Sequence, residues 1–290
     1  MQISNEEYEM YKPLLFSLGY RMTGSVSDTE DIMQDTFLKA YQLPETDINN
    51  KKAYLCKMMT NRCIDFLKSA RVKREQYVGP WHPEPFLQEE NDPSVIMISK
   101  EYMSIAYLRM MEHLTPHERA VVLLREVFHF SYKEIAGMIG KSEENCRKLL
   151  SRTKQKLTKV ENESLNYEKN KSLIQRFIHA FETGSTEDLL KLVSDQVTLY
   201  SDGGGKVKAA TRPIISSAKV LAFLHGINSK MPADFHTRLE SANGQPCLVN
   251  YAGNTLHSTI SFYICNDKIH EIYLTMNPEK LPETVTGSLY

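Results

Sequence analysis

In the stretch LTPHERAVVLLREVFHFSYKEIAGMIGKSEENCRKLLSRTKQKL, Leu114 to Leu157, the starts and stops of three helices are written into the chain. Thr115, with Pro116 at the first helical position and Glu118 three residues on, makes a capping box with a favoured proline. Ser131 and Glu134 repeat the box. Ile135, Ala136 and Ile139 then form an apolar face, Gly140 supplies a turn, and Ser142 caps a third helix that points Cys146, Leu149 and Leu150 inward. This predicts helix, short glycine turn, helix. Arg147, Lys148, Ser151, Arg152, Lys154 and Lys156 fall largely on the outer face of the third helix. Such a face fits a major groove, where arginine pairs with guanine edges and lysine with phosphate. An amphipathic hairpin with a basic outer face and no DNA role has the same pattern, so spacing alone leaves both readings open.

From Tyr8 to about Arg74 apolar residues recur at intervals of three and four, which predicts a small helical bundle. In GSVSDTEDIMQDTFLKAY a cap at Ser27 or Asp28 precedes a turn loaded with Asp28, Glu30 and Asp31, where carboxylates suit the exposed amides and the helix dipole. The next helix is basic: Lys51, Lys52, Lys57, Arg62, Lys68, Arg71, Lys73 and Arg74 are opposed mainly by Asp65. With Tyr54 and Asn61 interleaved, it can track phosphates and hold an unstacked base, so single-stranded DNA is a plausible ligand. The chain's net charge of −1 conceals this segregation.

At 290 residues the chain is long enough for more than one core. The N-terminus lacks a basic start followed by an apolar stretch, and no run approaches the ~18 apolar residues of a spanning helix, so neither export nor membrane insertion is expected. Five scattered cysteines without a CxxC pair fit a reducing cytoplasm. Cys56 and Cys63 read as two buried thiols, and no metal or cofactor is expected.

Beyond Arg74, EQYVGPWHPEPFLQEENDPS reads as a proline-punctuated linker whose lone tryptophan, Trp81, invites docking. From Tyr167 two helices, then the runs VTLYS, CLVNYA, STISFYIC and KIHEIYLTM, predict helices against a bent, mostly antiparallel sheet: an α+β cone. Asp202, His225, His236, His257 and His270 are the acid–base candidates there, but spacing brings no two of them together, and no catalytic residue is assigned. YSDGGGKVK lacks the G-x-x-x-x-G-K-[S/T] spacing of a phosphate loop and leads into a strand-like segment; it reads as a hairpin turn.

The first two segments resemble the extracytoplasmic-function (ECF) bacterial sigma factors, from Met10 to about Leu157. DTEDIMQDTFLKAY is similar to the sigma-2 acidic motif, with Thr29 for the usual alanine, and AYLCKMMTNRCIDFLK to the motif W-L-x-x-I-A-T-N-x-x-x-D-x-L, with Tyr54 for tryptophan. The resemblance implies two all-α DNA-binding domains, sigma-2 over 1–75 and a sigma-4 helix-turn-helix over 99–160. Asp28, Glu30, Asp31, Gln34, Asp35 and Phe37 would lie at the surface that meets core RNA polymerase. Tyr54, Asn61, Arg62, Lys68, Arg71 and Arg74 would serve the −10 element, with Asn61 near a flipped base. Arg147, Lys148, Ser151 and Arg152 would meet −35 promoter DNA.

The third segment is similar to SnoaL-like domains over about Asn170 to Met276, and is taken as a regulatory domain over 167–290. ECF sigma factors with such an extension carry W-L-P-E-P in the linker, D-G-G-G-K in the extension and N-P-D-K-L near its end. The counterparts are Trp81-His82-Pro83-Glu84-Pro85 within a linker over 76–98, Asp202-Gly203-Gly204-Gly205-Lys206, and Asn277-Pro278-Glu279-Lys280-Leu281. His82 for leucine puts an apolar contact there in doubt. The resemblance implies that the extension regulates the sigma segments within one chain, by docking on sigma-2, sigma-4 or the linker, with residues 202–206 as a surface turn. A small-molecule ligand of unknown identity is a possible partner. The alternative is a helix-turn-helix regulator whose SnoaL-like domain senses or converts a small molecule.

Overall fold

A computed structural model describes residues 3–42, 48, 50–75, 77–87, 103–157 and 165–282. Of these, 3–75, 103 and 107–157 belong to one compact unit, and 77–87, 104–106 and 165–282 to the other.

The first unit is helical. Ser4 and Glu7 form a capping box at the start of α1 (Asn5–Thr23), which stops at Gly24 in the left-handed region. In α2 (Val26–Gln42) the cap is Ser25, whose Oγ accepts from the Asp28 amide at 3.1 Å, and not the expected Ser27 or Asp28. The cause is a buried knot at the α1–α2 turn: Thr23 and Thr29 hydroxyls meet at 2.9 Å and Thr29 donates to the Ser25 carbonyl at 2.6 Å, which fixes the first turn earlier. The basic segment is α3 (Lys51–Glu75). After α4 (Ile105–Met111), α5 (Pro116–Val122) runs into one π-helical turn, Leu123–Val127. Next come α6 (Tyr132–Ile139) and α7 (Glu143–Leu157), and both expected capping boxes, the left-handed Gly140 and the Ser142 cap are present.

Leu15, Leu18, Phe37, Leu55 and Met59 share one apolar cluster with Val121, Leu124, Ile135, Cys146 and Leu150, so the two helical segments have a common core. Cys56 and Cys63 lie within it, their thiols pushed up to about 12 by burial, which leaves them inert. Arg119 crosses the same core. Its guanidinium donates to the Met22 carbonyl at the end of α1, to the Met111 carbonyl at 2.6 Å and to Glu112 Oε1 at 3.1 Å. Burial lowers its pKa to about 10, so it stays charged at neutral pH and satisfies helix-end carbonyls that water cannot reach.

The second unit is the α+β cone. Helices α8 (Tyr167–Glu182), α9 (Thr186–Leu192) and α10 (Ser217–Asn228) accompany a six-stranded sheet of order β2-β1-β6-β5-β4-β3. The strands are β1 (Val193–Asp202), β2 (Ile214–Ile215), β3 (Phe235–Ala242), β4 (Gln245–Ala252), β5 (Thr255–Cys265) and β6 (Lys268–Thr275). Only β1–β6 is parallel among the pairs. Leu173, Phe177, Leu189 and Leu221 pack against Leu248, Phe262 and Ile272. Asn243 and Gly244, both at positive φ, join β3 to β4 in the tight hairpin that right-handed strand twist favours. The expected hairpin at Asp202-Gly203 is absent: β2 pairs back at Thr198–Leu199, and residues 203–213 form a loop.

Gly19 faces α2 and α3, where a Cβ would overlap Met59 and come within 2.7 Å of the branched Thr29 side chain. Gly19→Leu is therefore expected to destabilise the helical unit by roughly 1–3 kcal/mol through overpacking, read as a lower denaturant midpoint of helical ellipticity.

Candidate functional site

The densest polar contacts in the C-terminal unit converge on Asp202, the last residue of β1, whose side chain is fully buried. Its Oδ1 accepts from the Tyr77 hydroxyl at 2.5 Å and the Gly204 amide at 3.1 Å. Its Oδ2 accepts from the His82 amide at 2.8 Å and from Lys280 Nζ at 2.8 Å. Lys280 also donates to the His82 carbonyl at 2.6 Å, and its ammonium lies 4.2 Å from the Trp81 ring centre and 4.8 Å from that of Tyr77. The carboxylate thus joins three distant segments: the linker, the end of β1 and the turn after β6. With one donor charged and four hydrogen bonds made, the acid's desolvation is compensated. Burial first, and then hydrogen bonding to Asp202, push the Tyr77 pKa upward, so its hydroxyl keeps its proton and remains a donor.

The neighbouring residues complete the clasp. The Asp202 carbonyl accepts from the Met276 and Asn277 amides at 2.8 and 3.0 Å, and Asn277 Nδ2 donates to the Tyr77 hydroxyl at 2.9 Å. Asn277 Oδ1 caps the 3₁₀ turn Pro278–Lys280, which carries Lys280 inward and ends at Leu281. The His82 ring is buried, 3.2 Å from Thr275 Oγ1 and edge-on to Tyr273; a polar contact stands where the motif's leucine implied an apolar one. Pro83 and Pro85 are buried and Glu84 is half-buried. Phe86 exchanges hydrogen bonds with Asn243 at 2.9 and 3.1 Å, and Leu87 bridges to Ala242.

The surface turn expected over 202–206 therefore needs correcting. Asp202 and Gly203 are buried, and only Gly205 and Lys206 are exposed; Lys206 pairs with Glu279 at 2.9 Å. The glycines are required by close approach. Gly204 has φ +59° and a Cβ there would overlap the Asn277 amide, while a Cβ on Gly203 would come within 2.6 Å of the Val207 carbonyl. Sequence reasoning missed Tyr77 and Thr275, since nothing in their local pattern marks a partner more than a hundred residues away.

In the helical unit, Glu30, Asp31, Gln34 and Asp35 line the exposed side of α2 and Asp28 is half-buried. Phe37 does not share that surface: it is 2% exposed and packs on Tyr8 with ring centres 4.5 Å apart. It faces inward because it lies one turn past Met33 on the apolar stripe of α2. On α3, Tyr54 is half-buried, Arg62 pairs with Asp35 at 2.6 Å and Lys68 with Asp65 at 2.9 Å. Asn61 donates its side-chain amide to the Met138 carbonyl in α6 at 3.0 Å. The side chains of Arg71 and Arg74 lie outside the described residues. On α7, Arg147, Lys148, Ser151 and Arg152 are all exposed. The Tyr132 ring meets two guanidinium groups, 4.3 Å from Arg147 and 4.9 Å from Arg125.

The acid–base candidates do not assemble. His225 stacks on Phe181, His236 on Tyr251, and His270 meets Tyr263 edge-on. Asp202 is committed to the linker clasp, and of these five only His257 lines the cavity of the cone. Among the described residues no helix is long and apolar enough to cross a membrane, and no group of three or more His, Cys, Asp or Glu side chains could hold a metal.

Residues 7–72 match the Sigma-70 region 2 family and residues 104–157 the Sigma-70, region 4 family. Over 232 residues the chain is 30% identical to the ECF RNA polymerase sigma factor SigJ of Mycobacterium tuberculosis, covering 78% of this chain and 73% of that one. It is 25% identical over 277 residues to the probable ECF RNA polymerase sigma factor SigI of the same species, covering 94% and 93%. The crystal structure of SigJ superposes with a TM-score of 0.79 at 25% identity, covering 96% of this chain and 98% of that one.

Trp81 is the single tryptophan, so its emission reports the linker directly. Asp202→Ala strands Lys280 without its anion, and breaking a buried pair in this way costs roughly 3–5 kcal/mol. The expected result is a red-shifted Trp81 emission and an earlier unfolding transition of the C-terminal unit, partly recovered by adding Lys280→Met. Wild-type emission and midpoint in the single variant would contradict the clasp.

Proposed function

The chain belongs to the ECF RNA polymerase sigma factors, with a SnoaL-like domain following its two sigma regions, and on that premise we propose how its parts divide the work. As a sigma factor it directs promoter-specific initiation, and the chemistry of RNA synthesis belongs to core RNA polymerase. Recognition is its own contribution. In our reading, the exposed acids of α2 meet the polymerase, Tyr54, Asn61 and the basic residues of α3 hold the melted −10 strand, and Arg147, Lys148, Ser151 and Arg152 read the −35 duplex.

The observation that carries the regulatory part is the burial of Asp202 beneath the linker. Residues 77–87 lie in the tether between the two sigma regions, and while they are clasped they add nothing to its reach. Released, they extend it by roughly 35 Å. The helical unit supports the same reading, because the Asn61 amide is spent on Met138 and Arg62 on Asp35, groups that promoter DNA and polymerase would have to displace. Shared core and clasped tether together favour a closed form. Opening frees Asn61 and Arg62 and lets the two regions span both promoter elements. The C-terminal domain, acting through the clasp, thus restrains the sigma regions of its own chain, with intramolecular contact giving even a modest interface high occupancy.

Promoter-specific run-off transcription with core polymerase tests this. Asp202→Ala is expected to raise output severalfold over wild type at equal protein; equal or lower output contradicts restraint. Recognition is tested apart from regulation. Tyr132 holds Arg147 by a cation–π contact, so Tyr132→Ala should weaken −35 duplex binding several-fold and Tyr132→Phe should retain it. Equal affinity of the alanine variant at moderate salt would remove Tyr132 from the account.

A further inference from the structure

Residues 203–233 carry Lys206, Lys208, Arg212, Lys219 and Lys230 and not one Asp or Glu. The whole chain has 36 acids in 290 residues, so this acid-free stretch is a second segregation of charge beneath the net charge of −1. Its first four cations stand on the loop that leaves β1 and in the first turn of α10, and all four are exposed. Lys206 pairs with Glu279 at 2.9 Å. Lys208, Arg212 and Lys219 have no ion-pair partner among the described residues.

Stability does not account for this placement. Like charges on one loop repel, and Lys219 stands in the first turn of α10, where the helix dipole disfavours a cation and no acid offsets it. The loop is also anchored. The Lys206 and Val207 amides donate to the Gly203 carbonyl at 2.9 and 3.2 Å. Gly205 backs onto Val78, where a Cβ would come within 3.3 Å of the branched side chain, and a Cβ on Gly79 would lie 3.6 Å from Thr211 Cα. Cations on a held loop lose less freedom on meeting a ligand than cations on a free one. Facing solvent, they suit the backbone of a polyanion better than a small anion, which needs an enclosing site.

We propose that this loop and the first turn of α10 form a further DNA contact, in which Lys208, Arg212 and Lys219 hold the sugar–phosphate backbone. Chain connectivity favours DNA over other polyanions. Val78, against which Gly205 packs, lies three residues beyond the last residue of α3, a reach of at most ~11 Å, so the loop is tethered beside the helix assigned to the −10 strand. The contact reads charge and not sequence. It gives the clasped chain a first hold on promoter DNA while Asn61 and Arg62 are still engaged within the protein. Because it needs no release of the clasp, it stands or falls apart from the restraint proposed above.

The test is fluorescence anisotropy of the full chain with a labelled promoter duplex of about 30 base pairs and a scrambled duplex of equal length, over about 50 to 200 mM salt. Each of Lys208→Gln, Arg212→Gln and Lys219→Gln is expected to reduce the steepness of log affinity against log salt by about 0.9, and the triple variant to weaken both duplexes alike by about tenfold or more at ~0.1 M salt. Arg212→Lys should keep the wild-type slope, since a phosphate contact of this kind needs the charge and not the guanidinium fork. Trp81 emission at its wild-type wavelength in every variant establishes that the loss is not one of fold. Wild-type slope and affinity in the triple variant would overturn the proposal, and so would a loss confined to the promoter duplex. Unchanged DNA binding with weakened capture of core RNA polymerase would assign the loop to the polymerase and overturn it as well.

Discussion

A buried carboxylate must be satisfied where it stands, and the organisation of the C-terminal unit follows from satisfying Asp202. β1 alone would leave the acid stranded at the end of a strand. Tyr77 and His82 come from the linker, Lys280 from the turn after β6, and Gly204 from the loop that leaves β1, so the four donors reach it from three parts of the chain. Lys280 is the second centre of the same clasp, since it fixes the His82 carbonyl and carries Trp81 and Tyr77 on its ammonium. A clasp of this kind is all-or-none: remove one centre and the other is left charged in a place with little water.

That property is what a restraint needs. The tether of the two sigma regions is held at one end of a polar network whose members support each other, so release is a discrete event and not gradual loosening. The helical unit answers with features of the same sort. Arg119 ties the end of α1 to the end of α4 through carbonyls that only a long, permanently charged, multiply donating side chain could satisfy together. Asn61, expected beside a flipped base, is already hydrogen bonded to protein. On the proposed reading, promoter recognition competes with internal contacts, and polymerase and DNA together supply the free energy that displaces them.

How much of this could be read in advance depended on how far apart the interacting residues lie. Thr115 and Glu118, Ser131 and Glu134, and the Gly140 turn act within three or four residues, and each stands where its spacing said. Ser25 captured the α2 cap from Ser27 because the threonine knot of the α1–α2 turn adds a buried network that no cap rule includes. β3 went unrecognised because FHTRLESA is an edge strand with a single buried residue and no clean alternation, and α10 because KVLAFLHGIN is short and carries a glycine. Phe37 entered the acidic surface by its place in a motif, although its periodicity already put it inside. The glycine run was legible as a turn, but its purpose was not. Asp202 joins segments 125 residues upstream and 78 downstream, and only a folded chain could show that three motifs are one site.

Amide hydrogen exchange of the linker in the full chain tests the clasp most directly. The His82 amide donates to a buried carboxylate and the Phe86 amide to Asn243, so both should exchange slowly and together, with protection approaching that of the β1–β6 core, and both should lose it in Asp202→Ala. Exchange of His82 at the rate of an open loop in the wild-type protein would contradict the account.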